Sequence, residues 1–181
     1  MLKHGILGLL SYGKRTGYEI NEAFNASLNY FWAAQTSQIY RELQTLKQNG
    51  WVECELVEQK GRPDKKPYSI TEEGHAELLR WLRDESTQRN TNSPLLLKTF
   101  FLGELPGQEN VAFFESLAER SRASAAALES RYDAAREYSR QVPDESKAAY
   151  WRMTVEFGVM YNEMLEKWAR RCADIVREEI K

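Results

Sequence analysis

The chain of 181 residues is poor in the side chains from which reactive sites are usually built. It has two cysteines, Cys54 and Cys172, far apart and outside any C-x-x-C, and two histidines, His4 and His75. A zinc site takes about four closely grouped ligands and a disulfide framework takes more cysteines, so neither is expected. Two reduced, mostly buried thiols in a reducing compartment are expected instead. The sequence has no G-x-S-x-G and no glycine-rich phosphate loop, so no set of nucleophile, base and orienting group can be assembled. No apolar run nears the roughly 20 residues that span a bilayer. Gly5 and Gly8 interrupt the short apolar stretch at the N-terminus, and no A-x-A-like cleavage site follows it. That argues against a signal peptide and for a cytoplasmic protein. An excess of either charge is also missing: 25 Lys and Arg face 27 Asp and Glu, a formal net charge of -2. The expectation is a non-enzyme with no metal, no cofactor and no membrane span.

What the chain does have is helical periodicity broken by one strand-like stretch. Ile6, Leu9 and Leu10 share a helical face over residues 3–12, ending at Gly13. Thr16-Gly17-Tyr18-Glu19 has the capping-box spacing and starts a second helix that runs to about Ser27. Tyr30, Phe31 and Trp32 form an aromatic connector, expected to pack into a core. A third helix follows Gln35 or Thr36, with Ile39, Leu43 and Leu46 on one face and Asn49-Gly50 as a left-handed stop. Val52 to Glu58 alternates as a half-buried strand does, Lys60 to Lys66 supplies a turn, and Tyr68-Ser69-Ile70 resumes the alternation. Thr71 then caps a fourth helix ending near Arg83. Helix, helix, helix, strand, turn, strand, helix is the order of a winged helix-turn-helix. In that arrangement the third helix can enter a major groove while the hairpin reaches along the backbone.

From Asp84 to Pro94 the chain reads DESTQRNTNSP, without periodicity, which marks a boundary between a domain at 1–85 and another at 95–181. Leu95 to Leu105 reads as a compact apolar helix closed by Pro106-Gly107. Two long patterns follow. In the first, Val111, Phe114, Ala118, Ser121, Ala125, Leu128, Tyr132 and Ala135 step by threes and fours. In the second, Trp151, Thr154, Gly158, Tyr161, Leu165, Trp168, Cys172 and Ile175 do the same. Val142-Pro143-Asp144 separates them, so an antiparallel hairpin is expected, each arm about 30 residues or roughly 45 Å long. Arms of that length outrun any core their own fragment can enclose. A partner, most simply a second copy of the chain, is expected to cover the remaining seam. The fold expected is mainly α, with a winged helix-turn-helix carrying a two-stranded wing, then a long helical hairpin for dimerisation.

Two places carry recognition chemistry. The third helix offers Gln35, Ser37, Gln38, Tyr40 and Arg41 around its apolar face. Gln can pair bidentately with adenine, and Ser, Tyr and Arg can reach phosphates or bases, although the same pattern describes an ordinary solvated helix face. The hairpin tip holds Lys60, Arg62, Lys65 and Lys66 against Asp64 alone. Such a cluster can neutralise phosphates, and a solvated turn would look the same.

Several segments resemble the PadR family of bacterial transcriptional regulators, in its long-tailed, virulence-activator-like branch. They are Ile6-Leu7-Gly8-Leu9-Leu10, Thr16-Gly17-Tyr18-Glu19-Ile20, Phe31-Trp32, Ser37-Gln38-Ile39-Tyr40 with Glu42-Leu43 and Leu46, Asn49-Gly50, Lys66-Pro67-Tyr68-Ser69-Ile70-Thr71 and Gly74. The resemblance covers residues 1 to about 83 specifically and the rest in length and helical pattern only. It implies a homodimer that binds double-stranded DNA at a palindromic operator through residues 1–85 and dimerises through 95–181. It further implies a repressor relieved by a small phenolic or aromatic ligand. By resemblance Tyr18 contacts the DNA backbone; the residues themselves allow a half-buried packing tyrosine equally well. The resemblance also implies an effector pocket near the domain junction and dimer interface. Leu97, Phe100, Phe101, Trp151, Phe157, Tyr161 and Trp168 are its candidate lining, although aromatics at helical spacing more often fill a core or a dimer seam.

Two other readings stand beside this one: a helical adaptor for another protein, which the long seam supports as well as it supports dimerisation, and an activator without an effector. The charge distribution departs from the usual basic DNA-binding domain. Divided at residue 86, the chain has 11 basic against 12 acidic residues on the N-terminal side and 14 against 15 on the other. Few phosphate contacts per subunit are expected, with dimerisation supplying much of the binding strength.

Overall fold

The apolar spacing at the N-terminus is realised as α1 (Leu2–Leu10), which buries Ile6, Leu7, Leu9 and Leu10. The computed structural model describes residues 1–29, 31–57, 65–84, 93–131 and 147–180. These fall into two units, Met1–Gln88 and Arg89–Lys181.

In the first unit Gly13, at φ 145°, turns the chain into a two-residue strand, β1 (Arg15–Thr16), before α2 (Gly17–Ser27). Two residues cannot show alternation, so the expected run of three helices before any strand is corrected here. The capping box forms as its spacing requires. The Glu19 N–H donates to Thr16 Oγ1 at 3.2 Å and the Thr16 N–H donates to Glu19 Oε2 at 2.7 Å. α2 buries Ile20 and Phe24. The connector after it does not enter the core: Phe31 is 51% exposed and Trp32 38% exposed, and Tyr30 lies outside the described residues. On either side of them Leu28 and Ala34 pack partly against the core, so the described part of the link is held at its ends while Phe31 and Trp32 face outward.

α3 (Thr36–Gln48) buries Ile39, Leu43 and Leu46 completely and ends at Asn49 before Gly50, whose φ of 71° suits a residue without a Cβ. β2 (Val52–Cys54) and β3 (Pro67–Ile70) follow, then α4 (Glu72–Arg83), where Thr71 Oγ1 accepts from the Gly74 N–H at 3.0 Å. The sheet is antiparallel in the order β1-β3-β2, with Val52 opposite Ile70, Cys54 opposite Tyr68, and Thr16 opposite Pro67. The strand expected over Val52 to Glu58 stops at Cys54. Leu56 and Val57 are exposed, and one bridge, Val57 to Lys65, continues the hairpin; Glu58 is outside the described residues. Leu56 is 60% exposed, so its place in the alternation does not bury it.

The first unit closes around one apolar core. Ile6, Leu7, Ile20, Phe24, Ile39, Leu43, Leu46, Val52, Tyr68 and Leu78 all belong to it. Burying each large aliphatic side chain is worth about 1.5–3 kcal/mol. A polar cluster ties α1 to α4 at its edge. Glu77, 7% exposed, meets His4 Nε2 at 3.0 Å, Lys3 Nζ at 3.1 Å and Arg80 Nη2 at 2.5 Å, and the His4 ring stacks on Trp81 at 4.5 Å. Chiefly through the His4 hydrogen bond, the Glu77 carboxyl is held down to about 2. Burial lowers the His4 pKa, and the imidazole Nδ1 finds no partner among the described residues.

The second unit begins with α5 (Pro94–Phe101), whose N-cap Ser93 Oγ accepts from the Leu96 N–H at 3.3 Å. The single compact helix expected from Leu95 to Leu105 instead ends at Phe101 and continues as a 3-10 turn, Leu102–Glu104. α5 buries no residue of its own. The long patterns become α6 (Gly107–Glu129) and α7 (Lys147–Glu179). They run antiparallel: Gly107 lies against Ile180, Phe114 meets Trp168 edge-on at 5.8 Å, and Glu115 pairs with Arg177.

On α6 the buried residues Phe114, Ala118, Ser121 and Ala125 are those expected. Asn110 heads the row in place of Val111, its Nδ2 donating to the Leu102 and Leu105 carbonyls at 2.8 and 3.3 Å. On α7 the expected seam holds in part: Trp168 and Cys172 pack against the core, while the most deeply buried row lies one residue further on. Val155, Val159, Ala169 and Ala173 are buried, whereas Thr154, Tyr161 and Ile175 are exposed. Two apolar rows run side by side along this helix, and periodicity alone cannot choose between them. Close approach of the helices favours the row that carries alanines. Tyr132, Ala135 and the Val142-Pro143-Asp144 break lie outside the described residues.

Candidate nucleic-acid interface

Burial of Ile39, Leu43 and Leu46 turns the opposite side of α3 outward, and Gln35, Ser37, Gln38, Tyr40 and Arg41 are all exposed. Gln35 is not in the helix. It is the N-cap, with φ -78° and ψ 147°, and its N–H donates to Gln38 Oε1 at 2.9 Å. This uses one lone pair of Gln38 Oε1 and leaves the second, with the Nε2 donors, for a base. The exposed row continues to Gln44 and Thr45, which the sequence reading did not single out. The step of three or four beyond Arg41 was the available signal. Gln44 Nε2 also donates to the Tyr68 hydroxyl at 3.4 Å, linking this face to the wing strand.

At the wing, Lys65 and Lys66 are exposed, and Lys65 exchanges both backbone hydrogen bonds with Val57, at 2.8 and 2.9 Å. Lys60, Arg62 and the turn that carries them lie outside the described residues. β1 adds cations that the sequence reading missed. Pairing of Arg15 with Tyr68 brings Lys14 and Arg15 onto the wing sheet, where Lys14 Nζ meets Glu55 Oε1 at 2.7 Å. No periodicity announces a two-residue strand; the basic pair just before the capping box was the only hint. The Glu19 carboxyl is held below its usual range first by the Thr16 N–H and more weakly by Lys65 and Arg15. Wing cations thus reach the start of α2.

Tyr18 stands in the first turn of α2, 63% exposed, with its hydroxyl donating to Glu22 Oε1 at 2.7 Å. The bond to that carboxylate raises the phenol pKa. Such exposure does not fit a half-buried packing tyrosine.

The seven effector candidates are not gathered into one pocket among the described residues. Trp168 packs on Phe114 in the small core of the second unit with Leu102 and Ala173. Phe157 and Tyr161 are exposed and stack on each other at 6.3 Å. Leu97, Phe100 and Phe101 are 66%, 81% and 60% exposed on α5, and Trp151 is half-buried on α7. A groove between α6 and α7, lined by Glu115, Ala118, Glu119, Arg170, Ala173, Asp174 and Arg177, contains none of the seven. Among the described residues no His, Cys, Asp and Glu side chains cluster as a metal site would need, and no helix is long and apolar enough to cross a membrane.

Comparison with known proteins agrees with this geometry. Residues 6–80 match the transcriptional regulator PadR-like family, and residues 91–177 match the virulence activator alpha C-terminal domain. A probable transcriptional regulator of Mycobacterium tuberculosis is 46% identical over 83 residues, which is 46% of this chain and 44% of that protein, so the match spans less than half of that relative. The negative transcriptional regulator PadR of Bacillus subtilis is 34% identical over 134 residues, 74% of each chain. The structure of B. subtilis PadR in complex with operator DNA superposes with a TM-score of 0.82 at 27% identity, over 97% of this chain and 98% of that one. The complex of the same regulator with p-coumaric acid gives 0.77 at 25% identity, over 97% and 98%.

Proposed function

The chain belongs to the PadR-like family of transcriptional regulators, and from that premise we propose that it is a homodimer that binds a palindromic operator in double-stranded DNA and represses until a small aromatic ligand releases it. The observation that carries this reading is the likeness, over nearly the whole chain, to a regulator solved on its operator. The exposed polar face of α3 supports it. Ser37, Gln38 and Arg41 take the base edges and nearby phosphates, with Gln35 at the helix start and Tyr40 standing among them. Tyr18 and the wing residues Lys60, Arg62, Lys65 and Lys66 take phosphates, and Lys14 and Arg15 join them from β1. Residues 1–85 act as the DNA-binding domain, and 95–181 supply the dimer contact.

A second copy is the natural cover for the outer row of α7. Tyr150, Met153, Phe157, Met160, Tyr161 and Met164 lie exposed there at helical spacing. For the effector, the p-coumaric acid complex of the B. subtilis regulator points to a phenolic acid. Leu97, Phe100, Phe101, Phe157 and Tyr161 offer exposed apolar surface for it, with Trp151 half-buried on α7, while Trp168 packs on Phe114. Such a ligand must favour a dimer geometry that cannot match both half-sites, since equal affinity for two states shifts nothing. The chain works without catalysis, in the cytoplasm.

An electrophoretic shift with the DNA flanking the protein's own gene, at two salt concentrations, tests the reading. A salt-sensitive, sequence-preferring shift that p-coumaric acid weakens is expected. A shift that p-coumaric acid leaves intact removes the phenolic effector. Absence of any sequence-preferring shift supports the adaptor instead.

A further inference from the structure

Tyr40 is the one large aromatic on the exposed side of α3, and its ring is not free in solvent. An edge of it lies across Gly17, the first residue of α2. A Cβ built on Gly17 would come within 2.6 Å of Tyr40 Cε1, 3.2 Å of Cζ and 3.4 Å of Cδ1. Gly17 is buried and has an ordinary backbone conformation, so turn geometry does not demand glycine here; the ring does. The recess is held from both sides. Thr16 before it pairs with Pro67 of the wing strand, and Thr16 and Glu19 cap α2 reciprocally. Tyr40 also stands near enough to Tyr68, opposite Arg15 and Cys54 in the sheet, to raise that phenol slightly, after burial and Cys54 have raised it more. The ring therefore joins α3 to the first residue of α2, next to Thr16, which pairs with the wing strand.

We propose that Gly17 is a recess for Tyr40, and that Tyr40 serves DNA recognition as a positioning residue, registering α3 against the start of α2 and the wing through its ring rather than reading DNA through its hydroxyl. The inference rests on the DNA-binding reading above. It divides the residues of α3 into two groups: Ser37, Gln38 and Arg41 face outward to be read, while Tyr40 sets the angle at which they are presented. The nearest clashing atom is at the end of a rotatable side chain, so a methyl group at Gly17 displaces the ring and leaves the helices folded.

The test uses the full-length protein carrying Gly17→Ala, Tyr40→Phe, Tyr40→Ala, or Gly17→Ala with Tyr40→Ala. Each is titrated against the duplex that wild type selects from random DNA and against a scrambled duplex. Gly17→Ala and Tyr40→Ala should each lower the preference for the selected duplex by roughly tenfold, the size of one good base contact. The double variant should lose no more than Tyr40→Ala alone, because without the ring no atom stands closer than 3.4 Å to the methyl. Tyr40→Phe, which keeps the ring, should stay within about twofold of wild type. A Tyr40→Phe loss equal to that of Tyr40→Ala, a silent Gly17→Ala, or additive losses would overturn the proposal.

Thermal unfolding of the same variants separates this idea from the DNA-binding reading. If wild type selects no sequence, the DNA-binding reading has failed and with it the recognition role, while the recess itself is still decided by the melting midpoints. Gly17→Ala should lower the midpoint when Tyr40 is present and leave it level or slightly raised in the Tyr40→Ala background, where alanine favours the helix over glycine. Equal lowering in both backgrounds shows that the ring does not occupy the recess.

Discussion

The two units treat apolar surface in opposite ways. The first, with three helices, a small sheet and α4, folds its large aliphatic residues inward: Ile6, Leu7, Ile20, Ile39, Leu43 and Leu46 are completely buried. The second has longer helices but a core built of Leu102, Phe114 and Ala173, and it leaves Leu97, Phe100, Phe157 and Met160 more than half exposed. The first unit leaves Leu56 and Leu82 exposed but keeps its large aliphatic core closed, and the second carries the longer exposed apolar row, which the proposed dimer would cover. In the proposed homodimer, affinity for a symmetric site comes from joining two readers, which suits a chain whose formal net charge is only -2.

The contrast can be broken most forcefully inside the first core. Leu43→Ala should cost about 2–5 kcal/mol of stability. In denaturant titration its transition should move while the dimer constant from sedimentation equilibrium, measured without denaturant, stays put. A dimer constant that weakens in parallel would show that the units do not separate in this way. Phe157→Ala probes the other side. Truncating an anchor of the exposed row should weaken self-association by about 2–4 kcal/mol, the range of an interface hot spot. Helicity by circular dichroism should stay unchanged, and an unchanged dimer would remove this row from the interface.

Acid should weaken the first unit in two stages. His4 has a lowered pKa, so the unfolded chain takes up a proton near the usual 6.5 while the folded chain resists it; its contribution is present above that value and fades as pH falls below it. Glu77 is held at about 2 against its usual 4.5, so its contribution is present above 4.5 and is lost as pH falls from there towards 2. Melting midpoints should decline gently at first and then more steeply, and Glu77→Gln should flatten the steeper part. A wild-type midpoint that does not move with pH would contradict the cluster's geometry. The smallest effect belongs to the wing. Lys65→Ala with Lys66→Ala should weaken binding almost uniformly across DNA sequences and reduce the salt slope by about 2, roughly one for each phosphate left without its cation. An unaltered slope would take the wing out of the interface.

What could be read in advance follows the same division. In the first unit local signals agree with tertiary packing: the Thr16 and Thr71 caps, the Gly50 stop and the spacing of Ile39, Leu43 and Leu46 each have one structural answer. β1 escaped because two residues carry no pattern and its partner lies some fifty residues away, at Pro67 and Tyr68. The connector at Phe31 and Trp32 was misjudged because aromatic character says nothing about direction. On α7 the most deeply buried row lies one residue beyond the expected seam, since hydrophobicity marks two adjacent rows and only packing geometry distinguishes the row of alanines from the row of aromatics. In the candidate site, residue types on α3 were legible, but the use of Gln38 as a cap partner and of Gly17 as a recess depends on contacts that spacing does not encode.

The alanines at 169 and 173 have a consequence for coexistence. The hairpin is held by small residues facing α6, while methionines and aromatics point the other way, so the surface that selects a partner can change without disturbing the fold beneath it. In the proposed dimer, a regulator with this hairpin can therefore change its partner along the outer row alone and still pair with its own copies.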